Sequence, residues 1–300
     1  LLRRHTRMKK QLLAAAVLAA LTISTASVFA AAPTFSGDAN IEYSKKSDEK
    51  SELTNRIRLA MDSEIDNNIY LHGRLVMNND LDRQGTATPV GNDKGAQMEQ
   101  LYVGFKMDNA DLKLGRQPLF LGHGLLSDVN GIGGAQITTT FDNANLMGFY
   151  GRDNDVDVAA AELGTSIGDW NLGASYLDKD DTYYGVNAST KVAPNTVLNM
   201  EYVKNNDAKA SGYWAEVKVG DAVKKGDFDY SLGYVKLDEG AVDGNYVTEG
   251  NMAGNKGFRV KANYAVSDNS TLTVYQDLFK QTSNNDITKN RTDVEYEVRF

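Results

Sequence analysis

The feature that most constrains the fold of this chain is a repeat of period two, in which apolar and polar side chains alternate along many short segments. Near one end, Phe35, Ile41 and Tyr43 alternate with polar neighbours, and the pattern returns in residues 256–267 and 290–300. Successive side chains of a strand point to opposite faces, whereas a helix repeats every 3.6 residues. The pattern therefore predicts strands with one apolar and one polar face.

The alternation and the turn residues between segments predict about sixteen strands, although fourteen or twelve stay open because sequence-based boundaries err by about two to four residues. Short links such as 108–110 and 168–169 alternate with mostly longer ones such as 79–96 and 118–134. The predicted strands are 34–44, 52–62, 68–78, 97–107, 111–117, 135–142, 144–152, 156–167, 169–178, 182–193, 196–204, 212–220, 227–237, 256–267, 270–280 and 290–300.

The first thirty residues differ from the rest and are interpreted as a signal peptide. Five basic residues precede an uncharged, Leu- and Ala-rich stretch over 11–30, which ends in Val28-Phe29-Ala30. A basic start, an apolar middle and small residues before the cleavage site are typical of secretory signals. Met8 is the expected start and cleavage is expected after Ala30, which leaves residues 31–300 as one domain.

Composition excludes several classes of protein. No cysteine is present, which argues against a disulfide-built module and a zinc–thiolate site. Beyond residue 30, 40 acidic residues face 27 basic ones, so nucleic acid is not an expected partner. The three histidines have no metal-ligand spacing, and we expect neither a metal nor another cofactor.

A chain of amphipathic strands can bury its apolar faces in two kinds of fold. A soluble sandwich buries the apolar faces between sheets, whereas a membrane barrel turns them to lipid and encloses water with the polar faces. Aromatic residues at the ends of apolar faces, such as Phe35 and Tyr264, fit the aromatic girdles of a barrel. The alternation of short and long links also favours an all-β, transmembrane antiparallel barrel. A secreted soluble β-protein or adhesin is the alternative.

The final strand resembles that of Gram-negative outer-membrane porins, with Val294, Tyr296 and Val298 alternating up to a terminal Phe300. The resemblance implies a water-filled channel for passive diffusion of ions and small hydrophilic solutes across the bacterial outer membrane. It also implies recognition by the barrel-assembly machinery, contact with outer-membrane lipid or lipopolysaccharide, and a homotrimer. No enzymatic activity is implied.

The resemblance further implies that the link 118–134 is a third loop folded into the channel, where its one acid, Asp128, faces basic wall residues. We hypothesise that Arg56, Arg58, Arg74 and Arg116 form this wall, since clustered charges select solutes by sign. The alternative is that these arginines only solvate the lumen and pair with nearby acids. Further lumen-lining residues expected from parity are His72, Arg259, Lys261, Glu295, Glu297 and Arg299.

A barrel-borne hydrolase is the alternative from another class of function. Ser127 and Asp128 follow His123 closely in the chain, and these residue types can form a nucleophile, an orienting acid and a base. No nucleophile elbow or other catalytic spacing accompanies them. We therefore expect them to be ordinary residues of the Gly-rich link.

Overall fold

A computed structural model describes residues 32–47, 49–81, 95–247 and 252–300, so the predicted signal peptide lies outside the described residues. Sixteen strands form one closed sheet, which confirms the predicted strand number. They are β1 (Thr34–Lys46), β2 (Glu52–Glu64), β3 (Ile69–Asp80), β4 (Gln97–Met107), β5 (Ala110–Leu121), β6 (Ser127–Phe141), β7 (Ala144–Asp153), β8 (Val156–Ile167), β9 (Trp170–Asp178), β10 (Thr182–Ala193), β11 (Thr196–Asn205), β12 (Ala210–Gly220), β13 (Phe228–Leu237), β14 (Asn255–Ser267), β15 (Ser270–Gln281) and β16 (Arg291–Arg299).

Every strand pairs antiparallel with its neighbours in the chain, and β1 closes the ring against β16. At this seam Ile41 lies opposite Tyr296. Gly37 and Phe300 exchange two backbone hydrogen bonds, with N···O distances of 2.8 and 3.0 Å. Closure leaves no strand edge with unpaired N–H and C=O groups, which a sheet in hydrocarbon requires.

The two ends of the barrel differ in their links. The short-turn end includes the two-residue links 108–109, 142–143, 168–169, 194–195 and 268–269, whereas the long-link end includes 81–96, 238–254 and 282–290. The predicted rhythm holds only in part, because β7 and β8 are joined at the long-link end by residues 154 and 155 alone.

The faces of the strands are segregated as the alternation predicts. On β13 and β14, Leu232 and Phe258 are about half exposed, at 53% and 49%. Their neighbours Ser231 and Arg259 are buried, at 5% and 7%. Most large apolar side chains thus point out of the barrel, and polar ones point in.

Among the described residues, no helix is both long and apolar enough to cross a membrane.

The prediction of a long link over residues 118–134 is wrong. β5 continues to Leu121 and β6 begins at Ser127, so only residues 122–126 join them. Leu119 pairs with Val129 beyond a register shift that follows Gln117. The error arose from the glycines of this segment. Glycine is disfavoured in strands, so a Gly-rich segment is predicted to be a loop even where the backbone pairs as a hairpin.

Candidate functional site

Three arginines occupy neighbouring inner positions on β2 and β3. Arg56 and Arg58 are two residues apart and share a face, and Arg74 lies opposite Ala60, the next inner position of β2. We call Arg56, Arg58 and Arg74 the arginine group. The strand period and the register together bring these side chains to one patch of the inner wall.

Each member of the arginine group is paired with an acid. Glu99 Oε2 lies 3.2 Å from Arg58 Nε and 2.7 Å from Arg74 Nε. Arg56 Nη2 lies 3.6 Å from Asp38 Oδ2 and 3.7 Å from Glu297 Oε2. Three guanidinium groups therefore face three carboxylates, and the patch is close to electrical balance.

Glu99 reaches this patch through a β-bulge in β4. Across β3, Arg74 pairs with Gln100 and Leu75 with Met98, so Glu99 is the extra residue. Regular alternation would place Glu99 on the outer face with Leu101, which is 40% exposed. A bulge re-aims one side chain, and here it brings the Glu99 carboxylate to Arg58 and Arg74. Sequence analysis missed Glu99 because parity along the chain does not reveal a bulge.

The structure does not bring Arg116 into the arginine group. Arg116 lies directly opposite Leu101 on the outward-pointing side of the sheet, and its Nε donates to the backbone oxygen of Glu99 at 3.1 Å. Asp128 pairs across the β5–β6 hairpin with Phe120 and, in the described part of the chain, forms no ion pair with the arginine group. Instead, Arg74 Nη2 donates to Asn130 Oδ1 at 3.1 Å.

The tip of the β5–β6 hairpin is bound by strands that do not neighbour β5 or β6. Gly122 N donates to Glu162 Oε1 on β8 at 3.1 Å. Glu201 Oε2 on β11 accepts from the backbone N–H groups of His123 and Leu125, at 2.9 and 3.1 Å. Residues 122–126, which we call the tip, are thus held by two carboxylates that sequence analysis did not single out.

The tip is also packed against an apolar cluster. The inner positions of several strands become apolar towards the long-link end, which differs from the expectation of a polar lining throughout. Leu121 and Leu126 of the hairpin region are at most 1% exposed within this cluster. Its other buried members include Leu119, Leu125, Val158, Leu177, Val203, Val235, Leu237, Tyr246 and Phe279.

The residues of the hydrolase alternative, Ser127, Asp128 and His123, are not arranged as a catalytic site. Ser127 is fully buried, and its hydroxyl donates to the backbone oxygen of Leu119 at 2.8 Å. His123 Nε2 lies 3.4 Å from the backbone oxygen of Ala188, and its ring is 5.9 Å from that of Trp214. Burial lowers the pKa of His123 below its ordinary value.

The other residues predicted to line the lumen lie among charged and aromatic partners. His72 Nδ1 is 2.7 Å from Asp62 Oδ1. Arg259 donates two hydrogen bonds to Asp277, at 2.6 and 2.7 Å. The remaining contacts join Glu295 to Asn40 and Glu297 to Arg299, and Lys261 is half-buried on β14.

A second group of charges ties the link 238–254 to the barrel at the long-link end. Lys179 Nζ lies 2.8 Å from Asp243 Oδ2 and 4.3 Å from the centre of the Tyr246 ring. Tyr246 donates to Asp153 Oδ2 at 3.0 Å, and its backbone oxygen accepts from the N–H of Asp128. We call Lys179, Asp243, Tyr246 and Asp153 the clasp, because they connect this link to the hairpin.

The surroundings of the clasp shift the pKa values of its members. Burial alone opposes both charges, but the mutual hydrogen bond raises the pKa of Lys179 and lowers that of Asp243. Burial and the hydrogen bond to Asp153 raise the pKa of Tyr246. The ion pair is therefore maintained over a wide range of pH.

Comparison with protein families matches residues 14–298 to the family described as "Gram-negative porin". No curated protein matches the sequence. Among solved structures, a triple mutant of the Rhodopseudomonas blastica porin is similar, with a TM-score of 0.63 at 11% identity. A tryptophan-substituted variant of the same porin gives 0.64 at 13%. Each comparison covers 89% of this chain and 100% of the other.

Proposed function

Because the chain belongs to the Gram-negative porin family, we propose that it forms a channel for passive diffusion of ions and small hydrophilic solutes across the outer membrane. The barrel is transmembrane, so its outer apolar face meets lipid and its inner polar face encloses water. The observation that carries the proposal is the binding of the hairpin tip by Glu162 and Glu201. In this proposal the hairpin, whose tip is hydrogen-bonded to β8 and β11, crosses the enclosed space and narrows it.

In this proposal the narrowest part lies between the hairpin and the arginine group. One hairpin face, with Leu121 and Leu126, packs into the apolar cluster. The other carries Phe120, which is 50% exposed, and Asn130, which accepts from Arg74. Irregular backbone is tolerated at membrane depth when it lines water. Diffusion then needs no cofactor and no catalytic step.

We further propose that selectivity by charge is weak. The arginine group is matched within the same patch by Asp38, Glu99 and Glu297, so this part of the wall carries little net charge. Clusters of charge of one sign select ions, and a balanced patch therefore favours neither sign strongly.

Further parts of the proposal follow from the family resemblance. We propose a homotrimer in contact with outer-membrane lipid and lipopolysaccharide, exported by a signal peptide cleaved after Ala30. The outward face of β16, with Val294, Tyr296, Val298 and Phe300, is proposed as the segment recognised by the assembly machinery.

Single-channel recording in a planar bilayer tests the function. Purified barrel is expected to produce discrete conductance steps and a small reversal potential in a salt gradient. Arg58→Ala and Arg74→Ala should each increase the preference for cations. Absence of conductance from a correctly folded barrel would overturn the proposal, and unchanged selectivity in both variants would remove the arginine group from it.

A further inference from the structure

Arg116 is a charged residue on the outer face of the barrel, in the middle of β5. Leu114, two residues earlier on the same face, is 42% exposed, and Leu101, directly opposite Arg116 on β4, is 40% exposed. A charge on the lipid-facing side of a membrane barrel is destabilising, so we expect a specific contact to compensate for it. That contact is with β4, where the backbone oxygen of Glu99 accepts a hydrogen bond from Arg116 Nε at 3.1 Å.

This hydrogen bond lies where the pairing of β4 with β5 ends. The last residue pair of the two strands is Leu101 opposite Arg116. Two residues further along β5 stands Pro118, which has no N–H group and cannot donate to a carbonyl of β4. A backbone carbonyl beyond the end of a strand ladder needs another donor. The Arg116 side chain supplies that donor to the oxygen of Glu99.

The backbone of Glu99 is also held from the side of β6. A Cβ atom on Gly131 would collide with the backbone oxygen of Glu99, so glycine is what allows the two backbones to approach this closely. Next to it, the backbone oxygen of Asn130 accepts from Gln100 Nε2 at 2.7 Å, and Asn130 Oδ1 accepts from Arg74 Nη2 at 3.1 Å. The Glu99 peptide is thus fixed between a side chain of β5 and the backbone of β6.

The same peptide belongs to the bulge that turns the Glu99 carboxylate inward. Glu99 is the extra residue of β4, between Gln100 and Met98, which pair with consecutive residues of β3. Its Oε2 lies 3.2 Å from Arg58 Nε and 2.7 Å from Arg74 Nε. The backbone conformation at a bulge decides where the side chain of the extra residue points. A contact that fixes the Glu99 carbonyl on the outer side therefore affects where the carboxylate lies on the inner side.

We propose that Arg116 is a positioning residue for ion selectivity: it holds the carbonyl of Glu99 from outside the barrel and so keeps the Glu99 carboxylate against Arg58 and Arg74 inside. This inference rests on the proposed channel function, because selectivity is a property of conduction. Without the hydrogen bond the Glu99 peptide can rotate, and the carboxylate spends less time beside the two guanidinium groups. The inner wall is then left with an excess of positive charge, although no lumen residue has been changed.

Arg116→Met and Arg116→Gln are the matched pair that tests the proposal in single-channel recordings. Both remove the positive charge and keep the length of the side chain as far as the Nε position, but only glutamine has an N–H donor there. Arg116→Met should shift the reversal potential in a salt gradient towards anions, in the same direction as Glu99→Gln and by a comparable amount. Arg116→Gln should keep the reversal potential of the original protein.

A double variant and an outer-face control separate this effect from others. Arg116→Met combined with Glu99→Gln should show no further shift beyond Glu99→Gln alone, because both changes act through one carboxylate. Arg152 lies in the same row of the outer face, two strands from Arg116, since Gly133 is directly opposite both. Its Nε pairs with Asp157 Oδ1 at 2.9 Å, so Arg152→Met should keep the original reversal potential.

A second route loosens the same peptide without a change at Arg116. Gly131→Ala forces the Glu99 carbonyl to move and should also shift the reversal potential towards anions.

The proposal is overturned if Arg116→Met keeps the original selectivity while Glu99→Gln changes it, if Arg116→Met and Arg116→Gln shift equally, or if the shifts of the double variant add. It is also overturned if Arg116→Met and Gly131→Ala both fail to form barrels, because the contact then serves stability alone. Each of these outcomes leaves the channel function standing. Absence of conductance from the original protein would overturn the channel function and this inference together.

Discussion

Glu99 is the residue through which the charge of the inner wall is most directly controlled. Its carboxylate lies within 3.2 Å of two guanidinium groups, those of Arg58 and Arg74. Two unit charges 4 Å apart interact by about 4 kcal/mol at an effective dielectric constant of 20, so one acid holds two bases close together. Its position depends on one extra residue in β4.

Glu99→Gln is expected to turn the channel towards anions. The change removes one negative charge from a balanced patch and leaves Arg58 and Arg74 facing the water with less compensation. The measurement is the reversal potential in a salt gradient, which should shift in the direction opposite to that of Arg58→Ala. Glu64→Gln is the control, because Glu64 forms an exposed pair with Lys106 outside this patch. Equal selectivity of Glu99→Gln and the control would contradict the prediction.

At the scale of elements, the β5–β6 hairpin is held by two kinds of contact. Carboxylates accept the backbone N–H groups of the tip, and an apolar cluster buries Leu121 and Leu126. Hydrogen bonds to charged groups contribute about 1.5–3 kcal/mol each. The cluster and the carboxylates act at different points of the hairpin, so they can be separated by mutation.

Glu201→Leu should loosen the tip without opening the barrel. The N–H groups of His123 and Leu125 lose their acceptor, at a cost of about 1–3 kcal/mol for each buried group left unsatisfied. We expect noisier single-channel currents with more substates, while thermal unfolding of the barrel changes little. Glu216→Gln serves as the control, since Glu216 accepts from Ser231 and not from the tip. Quiet currents from Glu201→Leu would show that the cluster alone fixes the hairpin.

The clasp predicts a pH dependence of the link 238–254. The pKa of Asp243 is lowered from its ordinary value of 3.8, so its stabilisation is present above that pH and is lost as pH falls through the native pKa. The pKa of Lys179 is raised from 10.5, so its stabilisation is present below that pH and is lost as pH rises through the native pKa. The clasp should therefore be intact between these two values.

Single-channel recordings at acidic, neutral and strongly alkaline pH measure this window. Channel closures should be rare at neutral pH and more frequent at both extremes. Lys179→Gln should show frequent closures already at neutral pH, whereas Lys224→Gln, at the short-turn end, should behave as the original. A Lys179→Gln channel with an unaltered pH profile would refute the role of the clasp.

At the scale of the whole molecule, the distribution of side chains is the reverse of that in a soluble protein. Most large apolar side chains lie on the outer surface of the barrel, and many polar ones lie inside it. Leu232 is 53% exposed in mid-strand, beside the buried Ser231. In a membrane, Leu232→Ala should lower the free energy of unfolding only slightly, because lipid chains fill the space that the side chain leaves. Leu232→Arg should destabilise the barrel by about 2–4 kcal/mol. Urea unfolding in lipid vesicles measures both variants, and equal stability would mean that this face does not contact the membrane interior.

Much of this architecture is predictable from sequence because its signals are local. Period-two alternation gives the strand number and the inner position of Arg56, Arg58 and Arg74, since each depends only on parity along a strand. The anchoring of the tip by Glu162 and Glu201 depends on contacts between strands far apart in the chain. Periodicity within one strand contains no information about such contacts.

The register between strands is the second source of unpredicted features. The outward position of Arg116 and the inward turn of Glu99 both depend on how β4 is aligned with its neighbours. The apolar inner side at the long-link end also departs from the simple pattern, because it packs against the hairpin and the link 238–254 instead of water.

The bulge at Glu99 has a consequence for how barrels of this family diversify. Moving this bulge by one residue along β4 would change which of the residues beside it faces lipid and which faces water, with no change in amino-acid composition. Relatives with the same number of acids and bases can therefore differ in permeability, and insertions or deletions beside a throat deserve as much notice in comparisons as charge reversals.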